Sequence, residues 1–274
     1  FPTKTAINAS SEIVREIGNT RNVVMLLPGE DEQLKNEYVI IGAHFDHLGM
    51  GGQGSSSRAP DTVGIHHGAD DNASGVSMML ELAEKFALTK GSHKRSLIFI
   101  SFSGEEEGLL GSKHFTDDPG IDLSKVNAML NLDMVGRLND TSMLQVSGVG
   151  TAAGLKELIY SKSDTTAIKL KLSEEGYGPS DHSSFYFKNI PVLFYFTGAH
   201  LDYHTPSDTW DKINFPGMVG ISTQIFNVGQ ELANSHSRLQ FHLEHGVQAD
   251  PERQDVEGDC RKGSRDSQGT ADQP

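Results

Sequence analysis

Histidine, aspartate and glutamate residues recur in five short segments of this sequence. The segments are AHFDHLG (43–49), GADDNASG (68–75), GEEEGLLGS (104–112), NLDMVG (131–136) and DYHTPSDT (202–209). Carboxylate and imidazole groups are the ligands that zinc and similar divalent ions prefer in proteins. Three adjacent carboxylates, as in Glu105 to Glu107, repel one another and are costly to bury unless positive charge lies nearby. The segments therefore predict that these residues face bound metal ions.

Each segment alone also has an ordinary structural interpretation, because an aspartate before a helix commonly caps it and a glutamate run is commonly a solvated surface. What favours a site is that these residues follow neighbouring predicted strands, where open α/β sheets bind their ligands. Two metal ions about 3.5–4 Å apart can activate one shared water and polarise a carbonyl group. A general base that is not a ligand must then take the proton. The adjacent residues Glu105 and Glu106 could divide these two roles.

The segments are positioned by strands and helices that alternate along the chain. Apolar runs predict strands in NVVMLL, EYVIIGAH, SLIFISF, NAMLNLDMVG and IPVLFYF. Helices are predicted in SGVSMMLELAEKFALT, TAAGLKELIYSK and FPGMVGISTQIFNVGQELANS. Strands that are apolar throughout and alternate with helices indicate an α/β fold, with a mixed or parallel sheet covered on both faces. The polar stretch at 28–36 predicts a hairpin between the first two strands.

The first predicted helix follows a long loop. Its apolar residues at helical spacing are Val76, Met79, Leu80, Ala83, Phe86 and Ala87. Ser74 is the candidate N-cap. The preceding loop, residues 49–70, is rich in glycine and serine. A loop of that length inside a compact domain is usually functional or mobile.

Composition excludes several classes of partner. The formal net charge is −14 and no cluster of lysine and arginine stands out, which argues against nucleic acid and anionic membranes as partners. The apolar runs are too short for a membrane-spanning segment. Cys260 is the one cysteine, so an internal disulfide is excluded. No signal-peptide pattern is visible in this chain.

Three regions are expected along the 274 residues. Residues 1–20 are interpreted as an N-terminal remnant or linker, and residues 21–243 as the catalytic domain. Residues 244–274 form an acidic stretch with almost no large apolar side chains, which predicts a disordered tail. Deleting this tail should leave activity and melting temperature nearly unchanged, because it has nothing to anchor it to the domain.

The five segments, in this order, resemble the dizinc exopeptidases of the bacterial leucine aminopeptidase type, over roughly residues 20–234. That family also includes glutamate carboxypeptidases and glutaminyl cyclases. The resemblance implies a three-layer α/β/α sandwich around a mixed, mostly parallel sheet, with two Zn²⁺ ions as cofactors. It implies a zinc-dependent aminopeptidase that releases N-terminal amino acids from peptides, and a secreted or periplasmic location.

The resemblance also implies five metal ligands. His44 and Asp133 would hold one metal, Glu106 and His204 the other, and Asp71 would bridge them. Asp71 is preferred to Asp70 because the family's aspartate stands directly before the NASG-type turn.

Further roles follow from the same resemblance. The GLLGS that follows the three glutamates makes Glu105 the general base and Glu107 a bystander. Tyr203 would hydrogen-bond the developing oxyanion. Asp46 would orient His44, and two further residues, Asp181 and His182, would lie near the pocket behind the ligands.

Three alternatives stay open beside the aminopeptidase. A carboxypeptidase of the glutamate carboxypeptidase type would share every metal ligand and differ in its substrate pocket. A glutaminyl cyclase-like enzyme would bind one zinc and need only part of the ligand set. A non-catalytic binding module would have broken ligands, whereas all five are intact here. The substrate side-chain preference, the native metal and the oligomeric state also stay open.

Overall fold

The structure, a computed structural model, describes residues 10, 18–139, 143–164, 166 and 168–243. The predicted tail at 244–274 and most of the predicted linker at 1–20 lie outside these residues. The interpretation of both segments, the effect of deleting the tail and the proposed boundaries of the catalytic domain therefore stay predictions.

Seven strands in the described part of the chain form one mixed sheet. They are β1 (Val23–Leu27), β2 (Tyr38–His44), β3 (Ser96–Phe102), β4 (Val126–Leu132), β5 (Leu144–Ser147), β6 (Leu170–Ser173) and β7 (Val192–Phe196). Their spatial order is β1-β3-β2-β4-β7-β5-β6. The four central strands β3, β2, β4 and β7 run parallel, whereas β1 and the β5–β6 pair are antiparallel to the strands they join.

Five α-helices accompany the sheet in the described residues. They are α1 (Gly75–Leu88), α2 (Leu110–Asp117), α3 (Leu155–Ser161), α4 (His182–Tyr186) and α5 (Phe215–Asn234). None of the helices that the structure describes combines the length and apolar character needed to cross a lipid bilayer.

Helices cover both faces of the sheet, as β2 illustrates. Val39 and Ile41 lie in an apolar cluster with Met79 of α1, and α3 and α5 contribute to the same cluster. Ile40 lies between them in sequence and points to the opposite face, because successive strand residues alternate. There it joins a second cluster with Phe185 of α4, to which α2 also contributes. The predicted three-layer α/β/α sandwich is confirmed.

The predicted hairpin between β1 and β2 is wrong. β1 pairs instead with β3, with Val23 opposite Ser101, and β3 separates it from β2. β3 is buried along its whole length, so it needs a neighbour on each side. β1 has side chains that are about half exposed, including Val23 at 55% and Leu26 at 59%, which suits an edge strand.

The helix predicted after the long loop is confirmed as α1, but its details differ. Ser74 already has helical dihedral angles and does not cap the helix. Its hydroxyl donates a hydrogen bond to the backbone carbonyl of Asp70. Leu80 is 50% exposed, whereas Met78 and Leu82 are buried. The buried face is therefore rotated from the predicted one, because α1 packs against both the sheet and α5.

Candidate metal centre

The carboxyl ends of the parallel strands gather the polar segments at one edge of the sheet. His44 is the last residue of β2, and Asp133 directly follows β4. Glu106 lies in the turn after β3, and Asp71 lies in the turn that leads into α1. His204 comes from the loop after β7. All five residues predicted as ligands therefore meet at this edge.

His44 forms a first cluster with two carboxylates. Its Nε2 atom lies 3.3 Å from Asp71 Oδ1 and 3.5 Å from Asp133 Oδ1. Burial disfavours the charged imidazolium, but the carboxylates of Asp133 and Asp71 outweigh burial and raise the pKa of His44 well above its usual value. A site that favours a cation so strongly also suits a metal ion.

His204 forms a second cluster with Asp71 and Glu106. Its Nε2 atom lies 3.1 Å from Asp71 Oδ2 and 3.1 Å from Glu106 Oε2. Burial lowers the pKa of His204, but these two carboxylates overcome it and raise the pKa to about 10. Burial raises the pKa of Glu106, and contacts with His204 and His47 lower it to a net value below its usual range.

Asp71 belongs to both clusters, with Oδ1 facing His44 and Oδ2 facing His204. Two ligands of one tetrahedral zinc, each bonded at about 2.0–2.1 Å, are about 3.3 Å apart. The four separations of 3.1–3.5 Å lie close to that value. Among the described residues, Asp71 Oδ2, Asp133 Oδ1 and His204 Nε2 are buried and no hydrogen bond satisfies them. The donor set therefore fits divalent cations.

Backbone carbonyls orient both histidines. His44 Nδ1 lies 3.2 Å from the backbone oxygen of Asp46, and His204 Nδ1 lies 3.0 Å from that of Ser56. A carbonyl can only accept, so Nδ1–H donates in each case and Nε2 is left to face the carboxylates. Asp46 was predicted to orient His44. The contact comes from its backbone carbonyl, because its carboxylate is 3.8 Å from His44 Nδ1.

The carboxylate of Asp46 instead holds the turn that carries the glutamates. Asp46 Oδ1 accepts a hydrogen bond from the backbone N–H of Glu105 at 3.1 Å, and Oδ2 accepts from that of Glu106 at 3.2 Å. The turn presents Glu105 and Glu106 to the interior and leaves Glu107 exposed. Asp46 therefore links the end of β2 to both glutamates.

Asp70 faces away from the two clusters. Its Oδ1 accepts from the backbone N–H of Gly136 at 2.7 Å, and its Oδ2 lies 3.1 Å from His200 Nε2. Asp208 Oδ2 accepts from the backbone N–H groups of both Asp70 and Asp71, at 2.8 and 3.1 Å. Asp208, to which the sequence analysis assigned no role, thus holds the turn that carries Asp71. The sequence signal for this role was its position in the DYHTPSDT segment, which also contains His204.

The long loop at 49–70 contacts His204 directly. In addition to the Ser56 contact, the backbone N–H of Arg58 donates to the carbonyl of His204 at 2.9 Å. The hydroxyl of Ser57 lies 2.7 Å from His66 Nε2 and donates to the same carbonyl at 3.4 Å. The loop therefore supports a residue of the second cluster, although its sequence suggested only a functional or mobile segment.

Three further residues were predicted at the site, and the structure shows their surroundings. The ring of Tyr203 stacks on His204 with centroids 3.8 Å apart, and burial together with the Asp71 carboxylate raises its pKa. Asp181 is fully buried, and burial raises its pKa to about 7 although the positive charge of His44 lowers it. His182 stacks on Phe194 at 4.4 Å, and burial lowers its pKa to about 3, so the ring is neutral.

Glu105 makes the stability of the metal-free protein depend on pH. Burial raises its pKa to about 9, against about 4.3 for an ordinary glutamate. The folded state keeps a proton that the unfolded chain releases between these values. The stabilisation by this group is therefore full below about pH 4 and is lost as the pH rises toward 9.

We expect Glu105→Gln to reduce this dependence. In the metal-free variant, the free energy of unfolding should fall less steeply between pH 5 and 9 than in the metal-free wild type. Urea denaturation at a series of pH values measures both slopes. Equal slopes would show that Glu105 does not hold the proton.

The fold and the donor set define an α/β protein with a candidate divalent-metal centre at the carboxyl edge of its sheet. The sequence profile described as Peptidase family M28 matches residues 22–228. The chain belongs to Peptidase family M28.

Relatives by sequence carry aminopeptidase names. A protein named "Probable leucine aminopeptidase" from Trichophyton verrucosum is 29% identical over 234 residues, covering 82% of this chain and 61% of that protein. "Aminopeptidase YwaD" from Bacillus subtilis is 36% identical over 168 residues, covering 56% of this chain and 35% of that protein. The chain thus spans at most about three fifths of the length of these two relatives.

Solved structures agree with the fold. An aminopeptidase from Aneurinibacillus sp. strain AM-1 superposes with a TM-score of 0.63 at 28% identity, covering 81% of this chain and 50% of that one. BSAP, a zinc aminopeptidase from Bacillus subtilis, gives 0.61 at 26% identity, covering 77% and 49%. A glutaminyl cyclase from Porphyromonas gingivalis shares the fold, with a TM-score of 0.62 at 19% identity.

Proposed function

We propose that this protein is a zinc-dependent exopeptidase, and specifically an aminopeptidase that releases N-terminal amino acids from peptides. The observation that carries the proposal is the position of Asp71, which turns one carboxylate oxygen toward each of two histidine–carboxylate clusters. Family membership and the names of the relatives, which include a zinc aminopeptidase, support it further.

The proposed centre would hold two zinc ions. His44 and Asp133 would bind one ion and Glu106 and His204 the other, with Asp71 as a ligand of both. Three carboxylates and two neutral imidazoles carry a charge of about −3, which two divalent cations more than balance. When bound, the zinc pair supplies Lewis-acid activation of a water molecule and of the scissile carbonyl group.

Glu105 is the proposed general base. Its buried carboxyl holds a proton at neutral pH in the metal-free protein, whereas beside two bound cations its pKa would be lower and the carboxylate form favoured. The carboxylate then accepts a proton from the attacking water and delivers it to the leaving amine nitrogen. Its backbone is fixed by Asp46, which keeps the base close to the clusters without making it a ligand.

Tyr203 is the proposed donor to the developing oxyanion. Burial and the neighbouring carboxylates raise the pKa of its phenol, so the hydroxyl stays protonated across the physiological range and can donate a hydrogen bond. Stacking on His204 restrains the ring beside the second cluster. Asp181 and His182 are proposed to support the pocket behind the ligands.

The substrate class is tested by comparing three kinds of peptide. We expect aminoacyl-arylamides with a free α-amino group to be hydrolysed, and hydrolysis to stop when a chelator removes the metal. Peptides with a blocked N-terminus should not be cleaved. Release of C-terminal residues from those blocked peptides would instead identify a carboxypeptidase. Cyclisation of N-terminal glutamine with release of ammonia would identify a cyclase-like enzyme.

Metal content gives an independent prediction. The five proposed ligands with a shared Asp71 should bind two zinc ions per chain. Protein reconstituted with zinc and freed of excess by gel filtration should return close to two equivalents by mass spectrometry of the metal. A value near one zinc per chain at saturation would favour the alternative of a single-zinc, cyclase-like enzyme.

A further inference from the structure

His47 is a third histidine at the candidate centre, and it has no part in the ligand set described above. It lies three residues beyond His44, and only 10% of its side chain is exposed. Its Nδ1 atom is 2.7 Å from Glu106 Oε1. His47 is therefore in direct contact with a proposed ligand of the second metal.

The length of this contact distinguishes between two possible roles of His47, as a metal ligand or as a hydrogen-bond donor to Glu106. Two ligands of one tetrahedral zinc lie about 3.3 Å apart, as the contacts of His44 and His204 do. The distance of 2.7 Å between His47 and Glu106 is shorter and equals that of a charge-assisted hydrogen bond. Because a carboxylate oxygen can only accept, Nδ1–H of His47 is the donor. His47 also lies farther from the shared carboxylate, with Nδ1 3.8 Å from Asp71 Oδ2.

The two oxygens of Glu106 consequently have different partners. Oε1 is taken by His47, and Oε2 lies 3.1 Å from His204 Nε2. A glutamate side chain has several rotatable bonds, and each must be fixed before the carboxylate can hold a metal at a defined place. A hydrogen bond to one oxygen fixes the direction of the other.

The ring of His47 is itself confined by its surroundings. Gly68 lies close against one side of the ring. A Cβ atom at this position, where φ is +58°, would lie only 2.8 Å from Cγ and Cδ2 of His47. On another side the ring meets His204 edge-on, with centroids 5.8 Å apart. The imidazole therefore has little room to turn, and its Nδ1–H is held toward Glu106.

We propose that His47 is a positioning residue for the second metal, acting through Glu106. Its Nδ1–H holds Glu106 Oε1, so that Oε2 is presented beside His204 and Asp71. This inference rests on the proposed two-metal function and adds a residue to it. Loss of a contact of this kind costs roughly 10–100-fold in metal affinity.

Three substitutions of His47 separate positioning from ligation. Asparagine places an amide N–H as many bonds from Cα as Nδ1, so His47→Asn retains the donor. Glutamine places its amide nitrogen one bond farther, near the position of Nε2. Leucine has a similar size and no donor. Zinc titration against a competing chelator gives the two affinities, and Co²⁺ absorption reports the ligand set of each site. Circular dichroism of the metal-free variants confirms folding.

We expect His47→Leu and His47→Gln to weaken one of the two zinc sites by roughly 10–100-fold. His47→Asn should keep the zinc affinity of that site within a few-fold of the wild-type value, with an unchanged Co²⁺ spectrum. The contrast between asparagine and glutamine remains decisive if the leucine variant does not fold.

Equal losses in all three variants, with an altered Co²⁺ spectrum, would make His47 a ligand and overturn the proposal. Unchanged affinities in all three would overturn it as well, while leaving the two-metal function intact. If the proposed two-metal function is wrong, the wild-type protein itself would bind fewer than two ions. That result is distinguishable from the outcomes above, and it would also rule out the His47 proposal.

Discussion

Glu105→Gln should keep both zinc ions and lose roughly 10²–10⁴-fold in kcat, which is the usual contribution of a general base. Glutamine has nearly the shape of glutamate, so the turn held by Asp46 through backbone N–H groups should persist. Its amide cannot accept the proton of the attacking water. Steady-state kinetics on an aminoacyl-arylamide, together with metal analysis of the same preparation, measures both quantities.

The two following glutamates provide matched controls for this variant. Glu106→Gln should weaken metal binding, because a neutral amide oxygen replaces a charged ligand. Glu107 is exposed, so Glu107→Gln should change little beyond local charge. The assignment of base and ligand would be reversed if Glu106→Gln kept both metals while Glu105→Gln lost one. Full activity in all three variants would remove this turn from the mechanism.

Asp71→Asn should have the largest effect on metal binding. Each carboxylate oxygen of Asp71 faces a different cluster, and asparagine offers one neutral oxygen in place of two that share a negative charge. Both metals should bind more weakly, by more than the roughly 10–100-fold that loss of an outer contact costs. Chelator competition measures the affinities, and activity should fall with metal occupancy.

Asp70→Asn is the control for Asp71→Asn, since the two residues are adjacent and both are buried. Asp70 bonds to the backbone of Gly136 and contacts His200 rather than the clusters. This variant should therefore lower the melting temperature and still bind two zinc ions when folded. Loss of both metals from Asp70→Asn, with retention in Asp71→Asn, would exchange the roles of the two aspartates.

The gathering of four of the five proposed ligands was predictable, because each of the four ends or follows a strand that is recognisable from its apolar run. Asp71 is the exception, since it lies in the turn before α1. Parallel strands end at one edge of the sheet, and β2 and β4 are neighbours in it, so His44 and Asp133 lie close to each other. The choice between adjacent residues came from the family resemblance. In the structure Asp71 contacts His44, whereas Asp70 bonds to the backbone of Gly136.

Contacts between distant segments could not be predicted in the same way. Nothing in the spacing of the AHFDHLG segment indicates that His47 meets Glu106, because that contact joins residues 59 positions apart. The support of Asp71 by Asp208 spans 137 positions. The place of β1 beside β3 depends on which strand tolerates exposure at the sheet edge, a property of the whole sheet rather than of the linker at 28–36.

Anomalous X-ray diffraction at the zinc absorption edge, on crystals of the zinc-loaded wild-type protein, tests most directly whether two metals share Asp71. Two strong peaks per chain are expected, about 3.5–4 Å apart. One should be bonded to Asp71 Oδ1 and His44, and the other to Asp71 Oδ2 and His204. A single peak at full occupancy, or two peaks that do not share Asp71, would contradict the two-metal centre.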